Sequence, residues 1–149
     1  MSAALQDIVD LSFRDDLDLL FSRWLRGVDD AEVRQGYEAA LALAAPRRAR
    51  YWLLDMRRRG MVSTTATRWV MEAFLPRLVT TLGGQVYLAY LISPAHQSEL
   101  PSLTSNARPV DDRCRVQVFT DECSAMQWLE QSRQLNIPHA QPAATTTST

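Results

Sequence analysis

Apolar positions along the chain change their spacing several times, and each change marks an element. From Asp7 to Arg26, two runs rich in Leu, Ile, Val, Phe and Trp flank Arg14-Asp15-Asp16, whose short polar residues suit a tight turn. In the first run Ile8, Asp10, Ser12 and Arg14 alternate imperfectly with Val9, Leu11 and Phe13; in the second, Leu17, Leu19, Phe21 and Leu25 fall on one side. A period of two predicts a β-hairpin. After Gly27 the period lengthens. Val33, Tyr37, Leu41 and Ala44 recur at intervals of three and four, which predicts a helix capped by Asp29 or Asp30 and stopped at Pro46. Tyr51-Trp52-Leu53-Leu54-Asp55 is short and nearly all apolar, the pattern of a central strand covered on both faces.

Met56 to Val62 reads as a loop. Ser63 or Thr64 then caps a helix that carries Val70, Phe74, Leu78 and Leu82 near one face and ends at Gly83-Gly84. Pro76 lies inside that helix and has no N–H to donate, so a kink is expected, or two shorter helices meeting at Phe74-Leu75-Pro76. Val86 to Ile92 predicts a buried strand, and Arg113 to Val118 a sheet-edge strand with one solvated face. Between them Ala95 to Asp112 is polar, contains Pro101 and Pro109, and gives no placeable element. Thr120 or Asp121 caps a last helix with Ala125, Trp128 and Leu129 on its buried stripe and Met126 beside them. Beyond about Leu135 both periodicity and apolar content are lost, so 136–149 reads as a disordered tail after a single domain over 1–135. This alternation predicts an α/β domain, a mixed sheet of about five strands with helices packed on it.

Composition narrows the class. A chain of 149 residues buries a core without metals or disulfides, and 46% hydrophobic with 22% charged residues is the balance of a globular protein. The longest apolar stretch, around Val86 to Ile92, is too short to span a bilayer, so no transmembrane segment is expected. Met1 to Asp7 has neither the basic start nor the apolar region of a secretory signal, which makes the cytoplasm the expected location. Cys114 and Cys123 lack metal or redox spacing and read as reduced thiols. A net charge of −1 supplies no general attraction to nucleic acid, and no nucleic-acid partner is expected. All 16 basic residues are arginine, a bias that weakens the significance of any single arginine run.

Several of these residues together resemble a known group. Trp24-Leu25-Arg26-Gly27 ends the second strand and Leu54-Asp55-Met56-Arg57 the third; Trp69 and Phe74-Leu75-Pro76 lie in the long helix; Phe119-Thr120-Asp121 precedes Ala125, Trp128 and Leu129. Over roughly residues 5 to 133 the chain resembles bacterial STAS-like proteins related to the anti-sigma-factor antagonists. The resemblance implies a STAS-like sheet and a protein-interaction or small-ligand module rather than an enzyme. Some members of that group accept phosphate on a serine at the start of the helix after the third strand, and Ser63 is the nearest counterpart. The compact Asp-Ser-Ser-Gly type of motif is absent here, however, and a longer arginine loop intervenes. Ser63 therefore reads first as a helix cap.

The sharpest candidate chemistry is Arg57-Arg58-Arg59 just before the helix that begins at Ser63 and Thr64. Free backbone N–H groups and arginine forks there suit a phosphate or carboxylate. Asp55, at the end of a central strand, either joins that site or hydrogen-bonds the loop locally. His96 and His139 have no neighbours at metal-ligand spacing, so neither a metal site nor a cofactor is expected. No nucleophile elbow accompanies any Ser/His/Asp set, and no catalytic residue is assigned. Two expectations follow. The first is a non-enzymatic interaction module with a protein partner, or a homodimer formed through a helix face or the Ala95 to Asp112 segment. The alternative is a binder of a phosphorylated or carboxylated molecule, or a lipid headgroup, at residues 57–65.

Overall fold

The computed structural model describes residues 5–59, 62–94 and 114–135. A short helix α1 (Leu5–Ile8) leads into strands β1 (Val9–Arg14) and β2 (Leu19–Trp24), followed by α2 (Asp30–Ala44) and β3 (Tyr51–Asp55). Next come α3 (Thr64–Trp69), a wide helical turn (Val70–Phe74), α4 (Leu75–Leu82), β4 (Val86–Leu91), β5 (Cys114–Phe119) and α5 (Glu122–Leu135). The five strands lie side by side in chain order, β1 antiparallel to β2 and the remaining pairs parallel. The domain is thus α/β with a mixed five-stranded sheet, as the hydrophobic pattern predicts. Residues 95–113 of the connection between β4 and β5 and the segment 136–149 lie outside the described residues, and so do His96 and His139.

Alternation along the strands splits the core in two. Leu20, Trp24, Trp52, Leu54, Leu88 and Tyr90 point to one face, which α2, α3 and α4 cover. Leu19, Phe21, Tyr51, Leu53, Ala89 and Leu91 point to the other, where α5 packs through Ala125 and Leu129. β3 and β4 are buried at every residue, because both faces are covered there. β5 shows the alternating burial of a sheet edge.

Local chemistry fixes the helix ends. Asp29 caps α2 by accepting from the Glu32 backbone N–H (2.8 Å), while the Glu32 carboxylate accepts from the Asp29 N–H (3.1 Å), a reciprocal capping box. Gly83 ends α4 at φ 65°, left-handed backbone that suits glycine. The Asp121 carboxylate accepts from the Ser124 N–H at the start of α5 (2.9 Å). At Pro76 the chain widens rather than simply kinks. The Leu75 N–H reaches back to the Val70 carbonyl, one residue further than in an α-helix, and Pro76, which has no N–H, enters as a first-turn residue of the next helix.

Two details of the hairpin differ from the pattern. Ile8 belongs to the helical turn before β1, and its side chain is buried in the first-face core. Leu17 lies in a four-residue turn with Asp15, Asp16 and Asp18, so β2 begins at Leu19. Asp18 takes a left-handed conformation (φ 53°) that a short polar side chain tolerates better than most.

Candidate functional site

The parallel register places Arg23 of β2 opposite Asp55 of β3 at the carboxyl edge of the sheet, on the face that α5 covers. Glu122 reaches them from the first residue of α5. Arg23 Nη1 donates to Asp55 Oδ2 (3.0 Å) and to Glu122 Oε1 (3.1 Å), and its Nη2 to Glu122 Oε2 (3.0 Å). Arg57 completes the group: its backbone N–H and its Nε donate to Asp55 Oδ1 (3.1 and 3.0 Å), and its Nη2 to Asp55 Oδ2 (2.8 Å) and Glu122 Oε1 (3.4 Å). Two guanidinium groups and two carboxylates therefore balance one another.

Asp55 is the most enclosed of the four, with its side chain 11% exposed against 32% for Arg23 and 42% for Arg57. Burial works against ionisation of Asp55, but the side-chain and backbone hydrogen bonds from Arg57, and then Arg23, outweigh it and hold the carboxyl below the usual aspartate value. Arg23 is raised, chiefly by its hydrogen bonds to Glu122. Of the two roles open to Asp55, the local one is present: it closes the arginine loop onto the strand end. Open α/β sheets commonly hold ligands at this edge. Here its charged groups are paired with each other.

The other candidate residues are dispersed. Arg58 points outward and is exposed. Arg59 turns to the opposite face of the sheet, where its guanidinium lies 4.8 Å from the Trp24 ring centroid and its Nη2 contacts the Met56 sulfur (3.4 Å). Nε and Nη1 of Arg59 and Nε1 of Trp24 are buried and have no hydrogen-bond partner among the described residues. Ser63 caps α3 by accepting from the Ala66 N–H (3.0 Å) and donates to Asp30 Oδ1 (2.7 Å), which ties the starts of two helices together. Thr64 is the exposed first residue of α3. The three arginines thus do not converge on a single anion.

Among the four tryptophans, Trp24 and Trp52 are fully buried, whereas Trp69 and Trp128 are half-buried. Trp69 packs inward on Tyr37 and Phe74 (centroids 6.2 and 5.6 Å), and Arg34 of α2 lies 5.4 Å from its ring. Arg34 is exposed and has no carboxylate partner among the described residues; neither has Glu72, exposed three residues after Trp69, a cationic partner. The neighbouring Glu38 and Arg77 pair with each other between α2 and α4.

Arg23, Glu122, Arg34 and Glu72 drew no attention in the sequence. For Arg23 a signal exists, since it follows Leu19 and Phe21 on an otherwise apolar stripe; the other three are ordinary helix-surface charges by pattern.

Fold and site together define an α/β domain whose sheet edge is closed by an internal ion network. Among the described residues no three His, Cys, Asp or Glu side chains gather as a metal ion would need, and no helix is long and apolar enough to cross a membrane. No protein-family model and no curated protein sequence matches the chain.

Proposed function

We propose that the chain is a non-enzymatic interaction module, STAS-like and cytoplasmic, that works by pairing through the face formed by α2 and α3, with a second copy of itself as the partner. The observation that carries this reading is the half-exposed Trp69 flanked by unpaired Arg34 and Glu72. Tryptophan and arginine are the residues most often central to binding energy at interfaces. A cation over the Trp69 ring and an exposed anion three residues further along the chain allow a self-complementary pairing: in a two-fold pair Arg34 of each copy meets Glu72 of the other. The exposed free thiol of Cys123 suits a reducing compartment.

Sedimentation across a concentration series tests this. The wild type is expected to pass from monomer to dimer, and Arg34→Glu to weaken the dimer at least tenfold by placing like charges opposite each other. A wild type that remains monomeric at every concentration would sink the reading.

The anion-binding alternative retains one observation, the buried unpaired N–H groups of Arg59 beside Trp24 Nε1. Donors without acceptors suit an oxyanion. On this reading inorganic phosphate raises the melting temperature of the wild type and leaves that of Arg59→Ala unchanged; equal responses in both proteins would rule it out.

A further inference from the structure

β1 is an outer strand of the sheet, paired with β2 alone among the described residues. Its register is unbroken and it contains no proline and no bulge, so nothing in the strand itself blocks a further strand from adding to its free side. Its side chains alternate. Asp10, Ser12 and Arg14 are exposed on one face of the sheet, while Leu11 and Phe13 are half-buried on the other, packed at the margin of the first-face core.

The direction of the backbone groups follows from the neighbouring pair. The Leu25 N–H donates to the Ile8 carbonyl (2.9 Å), and these two residues continue the β1–β2 register. Hydrogen-bonded and non-hydrogen-bonded pairs alternate along an antiparallel ladder, so Asp10, Ser12 and Arg14 turn their backbone groups to β2. The N–H and C=O groups of Leu11 and Phe13 therefore face outward, where no described strand receives them.

We infer that β1 of one copy adds antiparallel to β1 of a second copy, with the two-fold axis at Ser12. In that register Leu11 of each copy lies opposite Phe13 of the other, so the outward N–H and C=O groups bond each other and the half-exposed apolar side chains cover one another. On the opposite face Asp10 of each copy meets Arg14 of the other. Asp10 has no cationic partner among the described residues, and Arg14 is held by Asp16 in an exposed pair that solvent keeps weak. Asp10-Leu11-Ser12-Phe13-Arg14 is thus its own complement when read antiparallel, which selects a second copy as the partner. A shift of the register either way loses both ion pairs. The inference is independent of pairing through Trp69. So short an edge makes a small interface, which forms at higher protein concentration than the Trp69 contact, and the two contacts together extend a dimer into larger assemblies.

Site-directed disulfide formation tests this in protein carrying Arg34→Glu, which removes the Trp69 contact, and Cys123→Ser, which removes the exposed native thiol. Ser12→Cys places two thiols across the axis in a non-hydrogen-bonded pair, where Cα atoms about 4.5 Å apart suit a disulfide. Asp10→Cys, also at an exposed position, keeps its two thiols about 13 Å apart along the paired strands. In air, Ser12→Cys is expected to cross-link about tenfold faster than Asp10→Cys. Adding Asp10→Arg to Ser12→Cys sets two guanidinium groups opposite each other and should slow cross-linking about tenfold; adding Arg14→Asp as well restores opposite charges and the original rate. All three positions are exposed, so these variants leave the core untouched. Equal rates for Ser12→Cys and Asp10→Cys, or no recovery with Arg14→Asp, would overturn the inference.

Discussion

Asp55→Ala should lower the stability of the domain by about 2 kcal/mol at neutral pH. The substitution leaves Arg23 and Arg57 facing each other with Glu122 as their only shared anion. Removing one member of a fully buried ion pair typically costs about 3–5 kcal/mol; the guanidinium groups here are 32% and 42% exposed, and solvent reduces the figure. The sign of the pH dependence follows from the direction of the Asp55 shift. Its native value lies below the unfolded one, so the stabilisation is fully present above about pH 4 and disappears as pH falls through the lowered native value. Denaturant unfolding of both proteins at neutral pH and near pH 3 should therefore show a difference that shrinks in acid. A difference that stays constant down to pH 2.5 would mean that the Asp55 charge contributes nothing.

Gly36→Ala should also destabilise, by about 2 kcal/mol net, although alanine is the better helix former. A methyl group at position 36 in α2 would stand 2.3 Å from Cη2 and 2.9 Å from Cζ3 of Trp24, closer than any ordinary contact. Trp24 is 1% exposed, packed on Tyr37 and covered by Arg59, so its ring has nowhere to retreat. Helix propensity offers about 1 kcal/mol in favour of alanine, and a forced overlap in a packed core costs typically 1–3 kcal/mol and more when backbone must shift. The overlap wins. Thermal unfolding checks this, and an unchanged or higher midpoint would show that α2 moves away from the sheet at little cost.

The sequence carried the sheet and helices well where one physical constraint decided the element. Tyr51–Asp55 and Val86–Leu91 are apolar throughout because both faces are covered, and Asp29, Ser63, Gly83 and Asp121 mark helix ends with groups that only an end requires. The accommodation of Pro76 by a wide turn was legible as a disruption but not as a geometry, because proline removes a donor without specifying which longer bond replaces it.

Sites were harder to see. Arg57, Arg58 and Arg59 look alike in sequence, yet the chain turns one into an ion network, one into solvent and one onto Trp24. Asp55, two residues away, holds Arg57, but the second anion of the network, Glu122, lies 65 residues from it.

Pairing through Trp69 is tested most directly by mixing two variants that should each fail alone. Arg34→Glu leaves two anions and no cation at positions 34 and 72, and Glu72→Arg two cations, so each is expected to sediment as a monomer at concentrations where the wild type is a dimer. In an equimolar mixture the new carboxylate at position 34 meets the new guanidinium at position 72, and the native Glu72 of the first variant meets the native Arg34 of the second. The expected result is a one-to-one heterodimer. A mixture that sediments as two monomers beside a dimeric wild type would place the interface elsewhere and contradict the reading.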